Sequence, residues 1–86
     1  MADVQPEDLR RVTWKHNSRV KVGTKGGYVD HESCVEHPRL IRVTEHASAR
    51  GKVDQLYWVG ATRIDRGDGA ARKIAAALNA QETVNG

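Results

Sequence analysis

The chain has no phenylalanine, one cysteine, two prolines and no long apolar run. With two Trp and two Tyr as its only aromatic residues, its core must come from those rings and from Val, Leu and Ile, so Trp14 and Trp58 are expected inside. A lone Cys34 excludes an internal disulfide, and with it the disulfide-stapled scaffold of small secreted domains; a reducing, cytoplasmic setting is the expectation. No stretch approaches the roughly 18 apolar residues a membrane span requires, and residues 1–9 lack the apolar core of a targeting signal. HExxH, GxSxG and Walker-type signatures are also missing, so neither an enzyme, a cofactor nor a small-molecule substrate is implied.

What is present is a zoned charge pattern. Residues 10–27 carry Arg10, Arg11, Lys15, Arg19, Lys21 and Lys25 with no Asp or Glu, whereas residues 1–9 and 28–37 hold three acids each. The net charge of +3 is modest, but a local patch acts through its own field. Eighty-six residues allow one small domain. The division expected is a loose acidic arm over residues 1–9, a compact domain over 10–80 and a frayed tail over 81–86.

From Arg11 the apolar positions recur every second residue, with Val12 and Trp14 on one face; after a polar break at Asn17 and Ser18, Val20 and Val22 continue the pattern. The glycine-rich stretch 23–27 predicts a hairpin turn, and Tyr28 and Val29 begin the return strand. Residues 30–38 are polar and predict a loop ended by Pro38. Leu40, Ile41 and Val43 mark a strand, and Leu56, Tyr57, Trp58 and Val59 mark another, with the small and polar residues 47–52 between them. The second run is apolar on both faces, which demands a central position or a cover on each side. Residues 70–80 predict the helix: alanine-rich, with Ala71, Ile74, Ala75 and Leu78 on one face and Asn79 as its stop. The fold class expected is α+β, a small, mainly antiparallel sheet of three to five strands with one C-terminal helix packed on it. Trp58 and Leu78 would then be core partners, and Trp58→Ala would cost about 3–5 kcal/mol.

His31, Cys34 and His37 are spaced H-x2-C-x2-H, with His46 beyond, which are zinc-ligand residue types at knuckle-like intervals. A strand would point His31 and Cys34 to opposite faces, however, and a surface loop with a buried cysteine accounts for the same residues; no metal is expected. Cys34 with a neighbouring histidine and Glu32 or Glu36 also spells a hydrolytic set, but one seven-residue stretch seldom supplies nucleophile, base and orienting carboxylate together. The glycines at 23, 26 and 27 lead from strand to strand and not into a helix, so a turn explains them better than a phosphate loop.

The basic strand face carries more. If Val12, Trp14, Val20 and Val22 face the core, Arg11, Lys15, Arg19 and Lys21 project together, with Thr13 beside them and Lys25 at the turn; Arg39, Arg42, Arg50 and Lys52 widen the patch from the next hairpin. Aromatic rings do not interleave with these cations, which favours the backbone or groove of a duplex over stacking on single strands. Three strands followed by an alanine-rich helix (Tyr57, Trp58 and Val59, then Ala70, Ala71, Ala75 and Leu78) resemble in order the plant AP2-type and integrase arm-type DNA-binding domains. The ending, with Arg72 and Lys73 early in the helix, is similar to that of a double-stranded-RNA-binding domain. These resemblances imply nucleic-acid binding through a sheet and carry over no functional residue. The sequence thus predicts a non-enzymatic module contacting nucleic acid through Arg11, Lys15, Arg19, Lys21, Lys25 and Arg42. The alternative is an interaction or inhibitor module, of the kind phages and plasmids use against host defence complexes such as CRISPR, docking on a specific host protein. The sequence leaves the oligomeric state open, a dimer among the options.

Overall fold

Five stretches with period-two patterning form strands: β1 (Trp14–Val22), β2 (Gly27–Cys34), β3 (Leu40–Ala47), β4 (Lys52–Val59) and β5 (Thr62–Asp65). The computed structural model describes residues 3–48 and 51–85. The strands pair in chain order into one antiparallel sheet, β1-β2-β3-β4-β5, preceded by a 3-10 helix at Pro6–Arg11 and followed by α1 (Ala70–Asn85). The α+β architecture read from the sequence is the one the chain adopts. The turn between β1 and β2 is the glycine-rich one, with Gly26 at φ 85°, a conformation that favours glycine.

Residues paired across antiparallel strands share a face, so the register sorts the sheet into two sides. On the helix side, at one end of the sheet, Cys34, Leu40, Val59 and Ile64 meet Ile74, Ala75 and Leu78 of α1, all buried, while Trp14, Tyr57, Ala70 and Ala77 pack at the margin. The alanines bring the helix backbone close to the sheet, and the predicted stripe is the one used, except that Ala71 is exposed. The helix covers only that end. Both long hairpins run on past it, and the molecule measures 47 × 24 × 22 Å.

Several expectations are corrected. Residues 30–34 are not loop but the second half of β2, because Asp30 and Glu32 find arginine partners across the neighbouring strands. In β1 the register slips between His16 and Ser18, leaving Asn17 as an extra residue. Such a bulge inverts the alternation beyond it, so Val20 and Val22 are 53% and 49% exposed on the side away from the helix. Trp58 also lies on that outer side, opposite Ile41 and Arg63, and is no partner of Leu78; Val59 takes the core position. Where the sequence suggested a loose N-terminal arm, Val4 is buried against the core. Its N–H donates to the Asn79 side-chain oxygen (2.9 Å) and its carbonyl accepts from the Asn79 amide (3.1 Å). Asn79 therefore fastens the N-terminal segment, and the helix continues through it to Asn85.

Candidate nucleic-acid interface

The bulge decides where the cations of β1 point. Arg19 and Lys21 share the helix side with Trp14 and His16, whereas Lys15, opposite Ser33, is on the outer side. Arg11 ends the 3-10 helix and Lys25 sits in the hairpin turn, its carbonyl accepting a hydrogen bond from the Ser48 hydroxyl. Arg42 projects from β3 on the helix side. Of the six cations predicted to act together, the structure gathers Arg19, Lys21 and Arg42 on one face, with Lys25 at its tip, and separates Lys15 and Arg11 from them. Arg39 hydrogen-bonds Gln81 beside the helix, and Lys52 is on the outer side. Arg50 lies outside the described residues.

Two of the gathered arginines are already paired. Arg19 donates from Nε and Nη2 to Asp30 (2.7 and 3.0 Å), with His16 Nε2 3.1 Å from the same carboxylate. The Arg19 bond is the main reason the Asp30 carboxyl falls to about 2 from its ordinary 3.8, and His16 adds to it against partial desolvation; Arg19 is raised in turn. Arg42 makes the same fork with Glu32 (3.2 and 2.7 Å). Each guanidinium lies over a ring, Arg19 4.0 Å from the centre of Tyr28 and Arg42 4.6 Å from that of Trp14. Tyr28 stacks on His46 (4.9 Å, 26°), and Trp14 leans on Tyr57 (6.2 Å, 39°). The open half of the helix side is thus a ladder of ion pairs and rings, so aromatic residues do interleave with the cations there, contrary to the sequence expectation, each ring having a guanidinium or a second ring against it. Reading residues 30–34 as a loop concealed it: as a strand, Asp30 and Glu32 fall on one face, within reach of Arg19 and Arg42.

Hollows lie at both ends of this ladder. Near the helix start, Arg10, Arg66, Arg42, Gln55, Trp14 and Tyr57 line a cavity of about 430 Å³. At the hairpin tip, Arg19, Lys21, Thr24 and Tyr28 with the turn glycines line one of about 490 Å³. Arg10 and Arg66 did not figure among the predicted site residues; Arg66, in the turn after β5, stands at the sheet margin, where it lines the cavity near the helix start and also a hollow by Val43 and Leu56 on the other side. Thr13, expected to serve phosphate, gives its backbone N–H to Glu36 (2.8 and 3.1 Å), which holds that carboxyl below its ordinary range.

The histidine and cysteine set is dispersed. Cys34 is buried on the helix side, His31 is on the outer side with its buried Nδ1 unpartnered, His37 is in the turn before β3, and His46 is at the far end against Tyr28. Among the described residues, no group of three or more His, Cys, Asp or Glu is placed to hold a metal ion, and no helix is long and apolar enough to cross a membrane. No family model, curated protein or solved structure matches the chain.

Proposed function

We propose that the protein is a non-enzymatic module that binds duplex nucleic acid with the open half of its helix-side face, chiefly through phosphates. The observation carrying this reading is the sorting of charge. Among the strand residues, Arg19, Lys21 and Arg42 lie on that face against Asp30 and Glu32, with Lys25 at the hairpin tip and Arg10 and Arg66 lining the cavity at the helix end, whereas Lys15, Lys52 and Arg63 on the outer side are balanced by Glu45, Asp54 and Asp65. The unpaired cations Lys21 and Lys25 thus fall on the helix side and at its tip, the arrangement a polyanion partner would use. Among the described residues Arg10, Lys21, Lys25 and Arg66 have no ion pair, so phosphate contact is assigned to them; Arg19 and Arg42, held by their carboxylates, position the surface.

Anisotropy titrations of unrelated duplexes across a salt series test this. Lys21→Ala and Lys25→Ala should each lower the salt slope by about one unit with similar losses on every sequence, while Arg19→Ala should change it less. If the parent binds no duplex at low salt, or a folded variant with Arg10, Lys21, Lys25 and Arg66 all changed to Ala binds like the parent, the reading fails and docking on a protein replaces it.

A further inference from the structure

Among the described residues, no helix or loop covers the side of the sheet away from α1. Ile41 and Trp58 pair across β3 and β4, Val43 and Leu56 follow two residues on, and Val29 and Val20 extend the apolar surface across β2 and β1. These are the residues a sheet ordinarily places in a core, and the double-faced apolar run at Leu56, Tyr57, Trp58 and Val59 already called for cover on both sides. The helix supplies one. We propose that the other is a second copy of this chain, packed outer face to outer face as a two-layer sandwich with the helices outside.

Size and charge both select that occupant. Four long strands about 4.8 Å apart, each of eight or nine residues, present a footprint of about 20 by 25 Å. Burying it on two copies removes on the order of 1,000 Å² of surface, about the area a specific interface has to clear. The strand residues on this side carry three charges of each sign, with Arg66 at the margin of the hollow by Leu56, so the sheet surface itself has little to attract a polyanion. Each end carries both signs, with Lys15, Arg63 and Asp65 towards the helix and Glu45, Asp54 and Lys52 towards the tips, a surplus of one cation at the first and one acid at the second. Lys15 and Arg63 lie level with Ile41 and Trp58 near the helix end, while Glu45 and Asp54 form a pair nearer the hairpin tips. A two-fold axis running across the strands sets the end with the surplus cation on one copy against the end with the surplus acid on the other, at both ends of the interface. Arg63 and Asp54 have weak partners of their own, Asp65 at 3.1 Å and Lys52 at 3.5 Å, all more than 60% exposed and readily exchanged. A hollow of about 510 Å³ beside Leu56 and Val43, where β5 ends and leaves β4 uncovered, accepts side chains of the opposing copy.

Sedimentation equilibrium over a wide concentration range tests the proposal, read apart from any nucleic acid so that its failure is distinct from failure of the binding function above. The parent should approach twice its 9.5 kDa monomer mass, and the emission of Trp58 should shift to the blue as it does. Leu56→Glu should abolish the dimer, and Val20→Lys should weaken it about tenfold. Val20 is already half exposed in the monomer, so its variant folds whether or not Leu56→Glu does. A parent that stays monomeric at every concentration overturns the proposal. So does a dimer indifferent to both substitutions, which would be joined through strand edges instead.

Discussion

Asp30 shows what single side chains contribute here. Its carboxylate accepts from Arg19 and His16, and its folded value of about 2 lies below the ordinary 3.8. A depressed carboxylate stabilises the fold fully above its unfolded value, and that contribution disappears as pH falls from near 4 towards 2. Carboxyl NMR titration should place Asp30 near 2 in the parent; in Arg19→Gln it should move up towards 3.8 while remaining below it, because His16 still faces it. An unchanged titration in the variant would mean that the Arg19 fork is not held in solution. The Asp30 side chain is 15% exposed and its partner Arg19 52% exposed, so solvent screening tempers what the pair adds to global stability.

At the scale of elements, the helix and the sheet end beneath it form the main core. Leu40 is 1% exposed beside Cys34, Val59 and Ile64, so Leu40→Ala should cost about 2–5 kcal/mol, measured by urea unfolding. Trp58→Ala, expected from the sequence to be the damaging change, should cost less than Leu40→Ala in dilute solution, since Trp58 is only partly buried on the uncovered side. The reverse order would show that Trp58 has a partner within the monomer. The bulge at Asn17 is the element-level feature with the widest effect: one extra residue moves Arg19 and Lys21 to the helix side and leaves Val20 and Val22 outside.

At the scale of the molecule, the two sides of the sheet have opposite characters, and each reading above uses one of them. They should therefore be separable. Leu56→Glu, which places an acid on the outer side, should leave the salt slope of duplex binding per protomer unchanged, whereas an altered slope would put nucleic acid on the outer side as well. In the proposed dimer the two basic faces point away from each other, so one dimer would hold two duplex segments on opposite sides.

The α+β class, the hairpin turn at residues 23–27, the strands around Ile41 and Leu56 and the helix stripe at Ile74, Ala75 and Leu78 were all legible in the sequence, because each rests on local periodicity and turn chemistry. The acid-free run from Arg10 to Gly27 marked the basic region for the same reason. Only the tertiary structure decided which cations act together. That depends on strand register, and the single slip at Asn17 leaves no signature in composition. Nor did the sequence reveal that Asp30 and Glu32 neutralise Arg19 and Arg42, that Arg10 and Arg66 converge near the helix start, or that Asn79 fastens Val4. Each of these joins residues far apart in the chain, and only the paired sheet and the docked helix bring them together.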